Sequence, residues 1–163
     1  MILRAAKTAL VFAVALYYSL VLFNNLTDYR SNYQFVRHVL MMDSTYPGNH
    51  GVWRAINAPF WHVLFFIGIV TWELAATVLC WWGGLRLARA IGQPAAAFGR
   101  AKNPALAGLA MGLLLWLVAF LTVGGEWFLM WQSNTWNGED VAARMFAVVG
   151  IVLLFVAQPE ERT

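Results

Sequence analysis

PFWHVLFFIGIVTWELAATVLCWW, residues 59–82, decides the fold. The stretch contains no lysine or arginine, one carboxylate (Glu73) and one histidine (His62), and it exceeds the ~20 apolar residues a helix needs to cross a bilayer. Pro59 suits a first helical turn, where its missing amide donor would have no partner anyway. A barrel strand would alternate polar and apolar residues, and this run does not. A backbone in lipid must satisfy its own hydrogen bonds, so the stretch reads as a membrane-spanning helix.

Three further apolar blocks lie outside it, at residues 5–23, 105–131 and 141–157, the last of them short and carrying Arg144 near its start. The composition of the 163 residues agrees, with 61% hydrophobic and 12% charged. A water-exposed globular surface needs about 25% charged residues. Mean hydropathy is +0.61. These values exclude a disordered chain and a nucleic-acid-binding domain. The net charge of +3 and the pI of about 9.4 fit anchoring against anionic lipid, because no cluster of cations tracks a groove. The expectation is one all-α membrane domain over residues 1–163, a four-helix transmembrane bundle.

The first block imitates a secretory signal, with Arg4 and Lys7 ahead of it and Ala13-Val14-Ala15 resembling a cleavage site. The apolar run continues through Leu16 to Phe23, beyond that point, and is read as a retained helix. Cations set the orientation. Arg4, Lys7, Arg86, Arg89, Arg100, Lys102 and Arg162 fall on one side, and Arg30, Arg37 and Arg54 on the other. The positive-inside rule then places both termini in the cytoplasm, and the location expected is a bacterial inner membrane crossed several times. Cys80, the single cysteine, has no intrachain partner for a disulfide.

The inner connection, residues 83–104, intersperses Leu85, Leu87, Ile91 and Phe98 among its arginines and suits short helices on the membrane face. The outer loop, residues 24–57, is long and holds an amphipathic stretch over residues 32–42 that reads as an interfacial helix. No internal repeat supports a transporter built of inverted halves.

Thr27-Asp28-Tyr29, Phe35-Val36-Arg37-His38-Val39, Met42-Asp43 and Trp53-Arg54 carry a resemblance, as do, above all, Gly124-Gly125-Glu126-Trp127-Phe128, Met130-Trp131-Gln132-Ser133 and Trp136-Asn137-Gly138. With these the chain resembles the bacterial family of uncharacterised predicted small integral membrane proteins, a domain of unknown function. The resemblance implies a helical fold and a membrane location. It supplies no activity and no site residue.

Candidate chemistry therefore rests on the residues. Glu73 lies 14 positions after Pro59, roughly 21 Å down a helix rising 1.5 Å per residue. A charge at that depth costs at least ~2.5–3.5 kcal/mol, so the side chain should face the interior and be protonated, hydrogen-bonded or paired. Either it ties helices together or it handles a proton, ion or ligand. His62 shares its face nearer the outer surface, but Phe65, Phe66 and Ile69 between them argue against a wet path.

A second group gathers at the outer face by topology: Asp28, His38, Asp43, His62, Glu126 and Arg144. His38, Asp43, His62 and Glu126 have the donor types for copper, zinc or iron. The competing reading is a salt-bridge network in which Arg144 neutralises Asp140 or Glu126. A bis-histidine haem is not expected, because His62 is the one histidine on a spanning block and Met111, Met130 and Met145 read as packing. Ser19, Ser31, Ser44 and Ser133 lack a nucleophile signature.

Trp53, Trp61, Trp127, Trp131 and Trp136 read as an outer aromatic belt or as the lining of a groove for a quinone, a lipid or a partner helix, with Trp81 and Trp82 at the inner interface. Gly108 and Gly112 have the small-xxx-small spacing of a close helix contact, with this chain or another as partner.

Three functions follow. The favoured one is a non-enzymatic accessory subunit that binds a partner or ligand through its outer face, with membrane lipids, other membrane subunits or a second copy as partners. The others are a proton or ion pathway through Glu73, and an oxidoreductase subunit with an outward metal site. The topology has a direct check: reporter fusions after Gly92 should read as cytoplasmic, and fusions at Gly48 and Asn137 as external. A cytoplasmic signal from Asn137 would overturn the four-span arrangement.

Overall fold

The computed structural model describes residues 1–160, and among them there is helix, turn and loop but no strand. The helices are α1 (Ile2–Thr27), α2 (Tyr29–Met41), α3 (Pro59–Ala90), α4 (Ala95–Ala101), α5 (Asn103–Leu114) and α6 (Glu139–Ala157). Beyond Leu114, α5 continues without a break as a π-helical segment, Leu115–Trp127, and short 3₁₀ turns cover Val52–Arg54 and Met130–Gln132. Four helices are long and apolar enough to cross a membrane: α1, α3, α6 and the run Ala95–Trp127.

Several boundaries move relative to the sequence reading. Residues 83–104, expected as an inner connection with short helices, instead begin as the last turns of α3, because Gly83, Gly84, Leu87 and Ala90 extend its buried face past Trp82, and then form α4. The third span ends at Trp127, four residues short of the expected limit, where the chain turns through Leu129 at φ 54°. Pro59 and Pro104 occupy first turns, as their missing donors favour. Glu139 and Asp140 open α6, where carboxylates complement the helix dipole.

The main core joins Val11, Val14, Ala15 and Tyr18 of α1 to Cys80 and Leu87 of α3, Leu109 of α5 and Val149 of α6. Lipid tails are as apolar as leucine, so helices in a bilayer adhere through close van der Waals contact, and small residues permit it. A Cβ on Gly83 would collide with the main chain of Ala105, one on Gly108 would lie 2.7 Å from Cys80 Sγ, and one on Gly112 would strike the Tyr18 hydroxyl. The small-residue face of α5 thus meets α3 and α1 of the same chain.

α1 runs alongside only part of α3. Asn25, near its end, meets Glu73, and the first ~21 Å of α3 has α2 beside it instead, with Tyr29 and Tyr33 packed edge-on to Phe66. A smaller core of Val39, Leu40, Met42, Phe128 and Met130 closes this loop end. Met42 (φ 52°) and Leu129 (φ 54°) adopt left-handed backbone there, a strain of about 1–2 kcal/mol each that the packing sustains.

The opposite end holds both ends of the described chain. Glu160 Oε1 accepts bonds from Lys7 Nζ at 2.7 Å and from Lys102 Nζ, and Oε2 accepts from Arg4 Nε at 3.3 Å. The two ammoniums also donate to the Gln158 carbonyl, and Arg4 reaches the carbonyls of Ile91 and Gln93. Lys7 and Lys102 are 3% and 4% exposed, so two cations read from sequence as surface charges are core groups of this clamp. Arg162, counted with them, lies outside the described residues.

Burial pushes the Glu160 carboxyl up, but the hydrogen bonds and charges of Lys102 and Lys7 outweigh it and hold it at about 2. A depressed carboxyl stabilises the fold above its ordinary value of 4.5, and the contribution disappears as pH falls toward about 2. Glu160→Gln should therefore lower stability at neutral pH by about 3–5 kcal/mol, as loss of one partner of a buried pair does. Thermal unfolding in detergent checks this, and between pH 4.5 and about 2 the variant should lack most of the wild-type decline.

Candidate functional site

Glu73 is 2% exposed and turned into the interior, where Asn25 Nδ2 donates to its Oε2 at 2.6 Å. The Thr77 hydroxyl caps the main-chain carbonyl of the same residue at 2.7 Å. The buried Tyr18 hydroxyl and Trp116 indole nitrogen lack a well-aligned partner among the described residues. Sequence reading had no partner for Glu73. Asn25 ends the first apolar run, and only the antiparallel register of α1 and α3 brings the two together.

The candidate metal ligands do not converge, and among the described residues no three His, Cys, Asp or Glu side chains gather around a common point. His38 Nδ1 lies 2.7 Å from Asp43 Oδ2, and its ring stacks on Trp136 with centroids 4.6 Å apart. His62, 1% exposed, uses Nε2 to reach the Ile56 carbonyl at 2.7 Å, and Phe66 lies buried between it and Glu73. Glu126 is exposed, and the contact it offers is its carbonyl, to Arg54. Asp28 is exposed at the junction of α1 and α2. Arg144 is exposed and forms neither expected ion pair: no carboxylate among the described residues lies within salt-bridge distance of it. Loop topology alone assembled this cluster, and the loop folds so that His38 meets Asp43 and His62 meets the Ile56 carbonyl at separate places.

The aromatic residues also divide. Trp53 packs edge-on to Trp127, Trp131 to Tyr46, and Trp136 joins the loop-end core beside Phe35. Of the five tryptophans read as an outer belt or a groove lining, Trp61 borders the larger cleft.

That groove is a cleft between α3 and the π segment. Trp61, Leu64, Phe65, Gly68, Ile69 and Trp72 form one wall, and Leu114, Leu115, Val118 and Ala119 the other, around a cavity of about 630 Å³. A second cavity of about 280 Å³ shares Phe65, Ile69, Val118 and Ala119 with it and reaches the loop-end core at Phe128 and Met130. Trp61, Leu64, Trp72 and Val118 are exposed, so the cleft opens sideways from the spanning helices.

Its base is set by Trp72, whose indole N–H donates to the Met111 carbonyl at 2.8 Å, tying α3 to α5 just before the π turns begin. Above that bond the main-chain pattern shifts: Phe128 N–H reaches back five residues to Val123, and the Thr122 hydroxyl five residues to Leu117. π-helix is ordinarily a single-turn interruption and is frequent at functional sites, so a run from Leu115 to Trp127 beside a cavity marks this wall as the distinctive one.

No curated protein and no solved structure matches the chain. The model of one family, described as "Predicted small integral membrane protein (DUF2165)", matches residues 3–159. Nearly the whole chain is covered, so the protein belongs to that family and is a multi-pass integral membrane protein with four candidate spans.

Proposed function

We propose that the protein is a non-enzymatic membrane subunit that holds the hydrocarbon chain of a membrane lipid in the cleft between α3 and the π segment. The cleft itself carries the reading: a cavity of about 630 Å³ open to the side of the spanning helices. Its lining offers no carboxylate, amide or hydroxyl, and the Trp72 N–H is already committed to Met111. The Trp61 indole N–H at the rim is the one other side-chain donor of the lining, and an apolar cavity of this kind takes an apolar occupant. In this reading the termini face the cytoplasm of a bacterial cell and the α2 end faces outward, in line with the distribution of arginine and lysine. The exposed apolar faces, such as Ile151 and Leu154 of α6, are available to further membrane subunits or a second copy.

Gly68 gives the test. A Cβ there meets nothing within 4 Å, so Gly68→Phe should fill the cleft without disturbing the helices. Native mass spectrometry should show lipid co-purifying with the wild type and a several-fold loss in the variant at unchanged melting temperature. Equal lipid retention would overturn the reading.

A second reading, a proton pathway, rests on the buried Glu73 with a single side-chain hydrogen bond. In the preferred reading Glu73 joins α1 to α3, and Gln preserves its size and hydrogen-bonding capacity. Glu73→Gln should then leave lipid retention and proton flux in reconstituted vesicles unchanged; abolished flux with folding intact would favour the pathway.

A further inference from the structure

We propose that the lipid held in the cleft is an anionic phospholipid whose phosphate rests on Arg54, an assignment that builds on the hydrocarbon-binding reading above. Arg54 lies in the turn that leads into α3, and its Nη1 donates at 3.4 Å to the carbonyl of Glu126, near the end of the π segment. Arg54 thus ties the chain entering α3 to the end of the π segment, the two elements that wall the cleft further along.

The arginine is held in place but not neutralised. Its guanidinium carbon lies 5.9 Å from the Trp53 ring centroid and 5.4 Å from that of Trp127, and Nε donates to the Gly51 carbonyl at 3.2 Å. Gly51 leaves the space that Nη2 occupies, since a Cβ there would collide with it. Among the described residues no carboxylate pairs with Arg54, and Nη2 makes no hydrogen bond. The other end of the protein treats its cations differently: Arg4, Lys7 and Lys102 share Glu160.

A planar guanidinium with free donors, fixed by aromatic faces and carbonyls, is suited to a phosphate oxygen. Tryptophan rings flank it as they do at the headgroup level of a bilayer. The same two elements continue into the walls of the apolar cleft. A cation above a hydrocarbon slot has the charge pattern complementary to a phospholipid whose net charge is negative, and a zwitterionic headgroup brings its own cation to the same place.

The test is competition. The intact protein in neutral detergent is offered equimolar phosphatidylglycerol and phosphatidylcholine with identical chains, and bound lipid is counted by native mass spectrometry. The wild type should prefer phosphatidylglycerol about fivefold, the change that one cation near an anionic surface supports. The preference should fade in high salt. Arg54→Gln should bring the ratio to about one by lowering bound phosphatidylglycerol while phosphatidylcholine offered alone binds as to the wild type, and Gly68→Phe should remove both lipids. A preference that persists in Arg54→Gln, or resists salt in the wild type, would overturn the headgroup assignment and leave the cleft reading standing. Undiminished binding in Gly68→Phe would overturn both.

Discussion

α3 and α5 touch backbone to backbone at Gly83 and Ala105, and the remainder of the structure follows from how far that contact extends. In lipid there is no hydrophobic gain from pressing two helices together, so adhesion depends on interlocking at short range. Gly83 and Gly108 permit it in one half of the protein. The Trp72 indole makes the last polar tie between the two helices, and beyond it the π turns carry the second wall away along bulky Leu114, Leu115 and Val118. The tight half needs no occupant. The splayed half leaves apolar walls apart, and in the proposed function a lipid's hydrocarbon chain fills them.

Charge is distributed with the same asymmetry. At the terminal end two lysines are buried, which is sustainable only because Glu160 and the Gln158 carbonyl meet both ammoniums. That clamp links α1, the start of α5 and the chain after α6, so it fixes the end of the protein where the backbones already lie close. At the loop end Arg54 is placed between two tryptophans without an acid. One set of cations is structural and internally compensated, and the other keeps its charge available.

Residues 59–82 made the spanning helix legible because apolar length and the lack of cations have no other stable solution in water or lipid. The interior direction of Glu73 followed from the same physics, since a carboxylate facing acyl chains is too costly. Gly108 and Gly112 signalled a close contact, though not which helix they would meet. Other features left no mark. An apolar run such as Leu115 to Val123 reads the same whether its amides reach back four residues or five. Lys7 and Lys102 look like surface anchors until Glu160, more than fifty positions from either, is folded against them. His38, Asp43, His62 and Glu126 stay apart for a related reason: topology places residues at one end of a protein, but local partners such as Trp136 and the Ile56 carbonyl decide where each side chain goes.

The strained turns explain why the loop end does not collapse onto the cleft. Met42 ends α2 and Leu129 redirects the chain after the π segment, both in left-handed conformations that a non-glycine residue holds only when packing over-determines them. Met42 is buried in the small core with Phe128 and Met130, and Leu129 packs against it. That core braces α2 against the far end of the π segment, and α2 in turn stands beside the part of α3 that α1 leaves uncovered. The walls of the cleft are therefore supported from the α2 side, and closing it would require breaking the core that stabilises both turns. A cavity with walls held apart in this way is open before its occupant arrives, so binding loses little to reorganisation of the protein.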